Sequence, residues 1–358
     1  MTGSANLRPL TLAELLDQAV RLYRKNFLTF VGIIAIVQVP LTAISLLVSL
    51  LTSGETVARL AGGAPVTPSS IFTPTYLLGQ LATIFLAILS LVLVSGVATA
   101  ALTRAVADNY LGESVNILDA YKKIGSTWLK LVLALVLAIV IVFLLAIWFI
   151  VPCVGWLTGL GMIAFFSAVI TPLIAPVLVL ENQSASGVIR RAWDLARRRF
   201  WWVVGFVFIL FLFGQLIVTG PTTLATLVLQ LLFGNPVFAD DPTTAFTLQT
   251  IIQSIVSLVF SLIYIPFQLT NMTLMYFDLR VRTEGFDLAL LAGAAAGNEG
   301  GAMQTVAQAP QAQSGGLVTM TEMGYFALLS IGAGVLWFVF VFVLAGIGAA
   351  IGLASAGF

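Results

Sequence analysis

The stretch Trp128–Val151, WLKLVLALVLAIVIVFLLAIWFIV, carries one charge, Lys130, near its start and then only apolar side chains. A helix needs about 20 such residues to cross the hydrocarbon of a bilayer, and a helix apolar on every face has no water-facing side. Five stretches of similar character flank it: Phe27–Leu51, Tyr76–Arg104, Trp156–Leu180, Trp201–Val218 with a continuation past Pro221, and Phe246–Phe277. A seventh, Tyr325–Leu353, follows a capping pair, Thr319 with Glu322. It is dense in glycine (Gly332, Gly334, Gly346, Gly348, Gly352), and the Gly348/Gly352 spacing suits close helix packing. The chain therefore reads as all-α: a polytopic transmembrane helix bundle of six core spans plus a C-terminal seventh.

Composition agrees. Only 9% of the 358 residues are charged, against about 25% in soluble domains, so there are too few charges to cover a water-facing surface. The 25 Phe residues exclude a disordered chain. A net charge of +1 suggests no nucleic-acid partner. Histidine is absent and Cys153 is the lone cysteine, which removes an intramolecular disulfide, a zinc site and any Ser–His or Cys–His pair. No cofactor, metal or enzymatic activity is expected. Asp240 and Asp241 stand beside Pro242, as in a solvated turn. The six main spans have no ionisable residue in their middle, which argues against ion-coupled transport.

Before the first span, residues 1–26 read as an interfacial amphipathic helix rather than a secretory signal. Thr11 with Glu14 forms a capping box, and Leu10 with Leu15 a staple. Leu12, Leu15, Leu16, Ala19, Tyr23 and Phe27 share one face; Glu14, Asp17, Gln18, Arg21, Arg24 and Lys25 share the other. Residues 27–290 form the six-span membrane domain, 291–322 a flexible linker rich in Gly, Ala and Gln, and 323–358 the C-terminal transmembrane helix.

Every one of the 16 basic residues except Arg59 falls on one side of this arrangement. By the positive-inside rule that side is cytoplasmic, with the N-terminus inside and the C-terminus outside. The resulting belt comprises Arg21, Arg24, Lys25, Lys122, Lys123, Arg190, Arg191, Arg197, Arg198, Arg199, Arg280 and Arg282. It either enforces topology alone or binds anionic phospholipid headgroups or a partner protein. The seventh span could pack on its own bundle, on a partner or on a second copy. Ala19, Ala120 and Ala192 each centre a short basic amphipathic stretch, with an aromatic eight residues on (Phe27, Trp128, Phe200). This suggests a unit of interfacial helix, outward span and returning span used three times; the alternative is the ordinary preference for basic and aromatic residues at the inner interface. Gln268 and Asn271 near Pro266, and the Pro172/Pro176 kink before Glu181, are the candidates for a polar cavity or gate.

Three segments carry a resemblance: Leu12–Phe27 (LAELLDQAVRLYRKNF), Leu180 to Trp201 (LENQ, then IRRAWDLARRRFW), and Tyr276–Leu288 (YFDLRVRTEGFDL). In the last, Asp278/Arg282 and Arg280/Glu284 are i,i+4 pairs ahead of a helix stop at Gly285. From about Leu10 to Leu290 the chain is similar to the bacterial family of glycerophosphoryl diester phosphodiesterase membrane domains. That name comes from fusion to a soluble barrel whose catalysis uses histidines and metal-binding carboxylates. This chain has no barrel and no histidine, so the resemblance implies a membrane fold and no hydrolase. The expected function is a non-enzymatic scaffold or accessory subunit; the alternative is a passive channel or a lipid or small-solute transporter through the Pro-kinked spans.

Overall fold

The computed structural model describes residues 8–61, 74–181, 183–233, 242–295, 305–307, 309–311, 315–316 and 318–356. Every regular element among them is helical, and seven spans are long and apolar enough to cross a membrane: Phe27–Thr52, Tyr76–Tyr110, Thr127–Ile150, Val154–Glu181, Phe200–Leu232, Thr243–Glu284 and Met320–Val339. These follow the hydropathy pattern, with the fifth running through Pro221 as one span. The chain is an all-α polytopic bundle. Asp240 and Asp241 lie outside the described residues.

In chain order, α1 (Leu12–Lys25) leads into α2 (Phe27–Ala61), the first span. The second span is α3 (Pro74–Ser90), a π-helical stretch Leu91–Ala98, and α4 (Thr99–Tyr110). Next come α5 (Ile117–Lys123) and the third span, α6 (Thr127–Ile147). The fourth is α7 (Val154–Phe165), π-helical Phe166–Ile170, and α8 (Thr171–Glu181). After α9 (Ala185–Arg197), the fifth is α10 (Phe200–Gly214), π-helical Gln215–Thr219, and α11 (Gly220–Phe233). Then follow α12 (Pro242–Glu284), α13 (Phe286–Ala295) and α14 (Met320–Ala356), the first and last being the sixth and seventh spans.

The capping box forms as the sequence predicts. Thr11 Oγ1 accepts from the Glu14 N–H, and the Glu14 carboxylate accepts from the Thr11 N–H at 2.8 Å. α1 turns Leu15, Ala19 and Tyr23 inward. The plan of a short amphipathic helix followed by a span recurs at α5–α6 and α9–α10, and Ala19, Ala120 and Ala192 are all buried at those seats. In the three returning spans, α4, α8 and α12 pack pairwise into a central core. Alanine makes this close: Ala98, Ala100, Ala101, Ala105 and Ala107 are buried at or beside α4.

One boundary departs from the sequence reading. α2 continues past Leu51 to Ala61, so the connection expected over Thr52–Thr75 begins as helix; the side chain of Arg59 lies outside the described residues. The fourth span runs through its two prolines, in keeping with the stretch Trp156–Leu180. The helix continues through Pro172 and Pro176, and the adjustment is the π-turn immediately before Pro172. A wider turn separates the proline ring from the carbonyl it would otherwise strike. In both π-containing returning spans a threonine then donates to the carbonyl five residues back, Thr99 to Val94 at 3.0 Å and Thr171 to Phe166 at 3.1 Å. Gly285 ends α12 in the left-handed region (φ +62°), as its position after the last ion pair suggests.

The seventh span packs on its own bundle, against α7. A Cβ at Gly161 would lie 2.1 Å from the Phe326 carbonyl oxygen, and the Gly161 N–H donates to Ser330 Oγ at 2.6 Å. Phe326 is buried among Phe165, Phe200 and Trp193. The close approach thus comes from a glycine of the fourth span. Gly332 and Gly334 face open space, and the surroundings of Gly346, Gly348 and Gly352 lie outside the described residues. The stretch 291–322 also differs from a free linker where it is described. Residues up to Ala295 continue α13, and Val306 and Ala309 are buried against the bundle.

Candidate functional site

Glu181 closes α8, and Ser184 then caps α9 by accepting the Gly187 N–H at 3.2 Å. This short connection folds α9 back so that Arg191, on its buried face, meets Glu181. The contact is two-pronged: Arg191 Nε donates to Oε2 at 2.8 Å and Nη2 to Oε1 at 3.0 Å. Tyr276 of α12 donates its hydroxyl to Oε1 at 2.9 Å, and Gln311 donates to Oε2 at 3.1 Å. The other edge of Arg191 holds Glu284, with Nη2 at 2.7 Å from its Oε2. Glu284 in turn accepts from Arg280 Nε at 2.9 Å. Arg280 is wholly buried, reaches the Tyr276 hydroxyl and the Val306 carbonyl through Nη1, and sits 4.8 Å over the Phe286 ring. Two carboxylates and two guanidiniums thus neutralise each other out of solvent.

A related clamp stands at the end of each returning span. Asp108 of α4 is held by Arg104 at 2.9 Å and by Lys123 of α5 at 2.7 Å. Asp278 of α12 accepts from the Leu10 N–H at 2.8 Å and from Arg282 at 2.7 Å, while Arg282 also donates to the Leu10 carbonyl. The side chains of Asp108, Glu181 and Asp278 are 3%, 0% and 1% exposed, so all three are screened from water. Their partners run in cyclic order: the second span engages α5, the fourth α9, and the sixth the start of α1. That order gives the threefold repeat a physical form. A fourth cluster ties α9 to the seventh span, where Arg197 lies 3.7 Å from Asp194 and 3.6 Å from Glu322 and donates to the Gly316 carbonyl.

Ionisation follows from these contacts. Burial pulls the Arg191 guanidinium down, but the hydrogen bonds it donates to Glu284 and Glu181 outweigh it and hold its pKa above the usual value. The hydrogen bond to Asp108 likewise raises Lys123.

The belt therefore divides. Arg191, Arg280, Arg282, Arg197 and Lys123 are consumed in internal pairs. Arg21 pairs with Asp17 at the surface, Arg190 reaches the Gly315 carbonyl, and Arg198 has contacts of its own. Arg24, Lys25, Lys122 and Arg199 are exposed and make no ion pair among the described residues. At least one of these four ends each of the three amphipathic helices.

The expected cavity set is dispersed. Asn271 is fully buried and donates to the Phe267 carbonyl of its own helix at 2.8 Å. Gln268 is half-buried on the same helix, Pro176 is buried in α8, Pro172 is half-buried, and Glu181 belongs to the ionic layer. Three cavities lie elsewhere among the described residues: one between α2 and α3, one among α2, α11 and α12, and one beside the π-turns of the second and fourth spans. The residues that sequence reasoning left out are Tyr276, Asp108 and Gln311, the acceptors and donors that complete the layer. Among the described residues no cluster of His, Cys, Asp and Glu is arranged to hold a metal.

No family model, no curated protein and no solved structure matches the chain.

Proposed function

We propose that the chain is a non-enzymatic scaffold or accessory protein of the bacterial cytoplasmic membrane, with its N-terminus and basic end inside. In this reading it rests that end on anionic lipid headgroups. The observation that carries the proposal is the distribution of exposed cations after internal pairing: Arg24 and Lys25 at the end of α1, Lys122 at the end of α5, and Arg199 after α9. Three separate anchoring points around one core suit a surface better than a single ligand. Each such cation near an anionic leaflet is worth about 1 kcal/mol. The resemblance to phosphodiesterase membrane domains is consistent with a membrane role without catalysis. So is the state of Glu181, whose two oxygens already accept from Arg191, Tyr276 and Gln311.

Native mass spectrometry of protein released from nanodiscs of mixed phosphatidylcholine and phosphatidylglycerol tests this reading. Wild-type protein is expected to retain phosphatidylglycerol selectively. Arg24→Gln, Lys25→Gln, Lys122→Gln and Arg199→Gln combined should abolish the selectivity without lowering the melting temperature. Equal lipid ratios in the two proteins would refute the reading. Hydrolysis of a glycerophosphodiester by the purified protein, lost on Glu181→Gln, would overturn its non-enzymatic part.

A further inference from the structure

The half of the bundle remote from the ionic layer holds polar groups of a different chemistry. A cavity of about 450 Å³ lies among α2, α11 and α12, and every wall side chain except Val218 and Leu258 ends in a hydroxyl or an amide. Gln38 and Thr42 come from α2, Thr222 from α11, and Gln253, Ser257 and Ser261 from α12. None of its walls is ionisable. Polar groups facing hydrocarbon are costly, so their gathering on the inner faces of three spans needs a reason.

Some of the groups are satisfied internally. Thr222 donates to the Val218 carbonyl at 2.8 Å, and Ser261 to the Leu258 carbonyl at 2.9 Å. Gln38 Nε2 donates to Ser261 Oγ at 2.9 Å, which leaves Gln38 Oε1 shielded and accepting from nothing. A shielded acceptor with no donor is costly, so the chain alone does not satisfy this wall. Val218, on the wall, belongs to the π-turn Gln215–Thr219, and π-turns in long helices recur at functional sites.

The cavity is blind toward the basic end. Less than two turns along α12 from Ser261, Phe267 packs edge-on against Tyr23 and Phe213, with ring centroids 5.9 and 5.8 Å away. Access is therefore from the remote end or from the adjoining lipid. The volume lies within the range of small-molecule sites. An ion finds no counter-charge there and an alkyl chain finds polar walls. A guest with several hydroxyls finds donors and acceptors on three sides.

We propose that this cavity binds a neutral polyhydroxyl group, between glycerol and a monosaccharide in size. The same chemistry is offered by a free polyol and by the sugar headgroup of an uncharged glycolipid, so the experiment has two arms. Equilibrium dialysis of radiolabelled glycerol and glucose against the protein in phosphatidylcholine nanodiscs reads the free form. Native mass spectrometry after doping the nanodiscs with monoglucosyl diacylglycerol reads the lipid form. Saturable binding is expected in at least one arm, weakened at least about tenfold by Gln38→Leu and by Ser257→Leu, or about 1.4 kcal/mol. Ser257 and Gln253 are exposed to the cavity. Should Gln38→Leu misfold, Ser257→Leu and Gln253→Leu decide the matter. Absence of binding in both arms, or binding unchanged in the folded variants, overturns the proposal.

Discussion

Arg191 is the side chain on which the ionic layer turns, because it alone contacts both Glu181 and Glu284 through hydrogen bonds. Deleting one partner of a buried ion pair strands the other, at a cost of about 3–5 kcal/mol, whereas replacing the whole group with apolar residues can be neutral. Arg191→Leu is thus expected to destabilise the folded protein by about 3–5 kcal/mol in a detergent-denaturation series, and Lys122→Gln by almost nothing. Glu14 gives the pH counterpart at the surface. Its hydrogen bond from the Thr11 backbone, aided by Arg8, lowers its pKa from 4.5 to about 2. A depressed folded-state value contributes stability above pH 4.5 that disappears as pH falls toward 2. Amide exchange over residues 12–25, corrected for intrinsic rates, should show protection at pH 5 that weakens by pH 3, and Glu14→Gln should flatten that dependence. Of these residues, Glu14 was legible from four letters of sequence. Arg280/Glu284 and Asp278/Arg282 were legible as i,i+4 pairs. Arg191 with Glu181 was not, because their contact depends on how the 182–184 connection turns.

At the level of helices, the seven spans and their order could be read from apolar length alone, since hydrocarbon leaves the backbone few alternatives. What hydropathy could not carry was where each helix touches its neighbour. The surroundings of Gly348 and Gly352 lie outside the described residues, and the close backbone approach to α14 that is described is made by Gly161 of α7. Gly161→Leu should therefore unseat α14. With a protease site introduced in 296–304, the cleaved C-terminal fragment is expected to co-purify with the rest of the wild-type chain and to separate in the Gly161→Leu protein. Co-purification in both would show that the seat lies elsewhere. The packing also bears on truncation. Removing 291–358 would take Val306 from Arg280, Gln311 from Glu181 and Phe326 from its aromatic cluster, so the six-span remainder should melt at a lower temperature than the full chain.

Seen whole, the molecule is a threefold arrangement of returning spans whose buried end carboxylates are clamped in turn by α5, α9 and the start of α1. The repeated alanines and aromatics hinted at this order; the clamps did not show, because each joins residues of separate helices. The exposed cations and the ionic layer lie at one end, and Cys153 lies at the other, in the exposed turn between the third and fourth spans. Lipid anchoring at the inner leaflet requires the basic end to be cytoplasmic. A membrane-impermeant maleimide applied to intact spheroplasts reports this through the native thiol. The wild-type protein should be labelled at Cys153 without permeabilisation, and the Cys153→Ser, Ser184→Cys protein only after the membrane is opened. Labelling of Ser184→Cys in sealed spheroplasts, with Cys153 protected, would place the basic end outside and contradict the account.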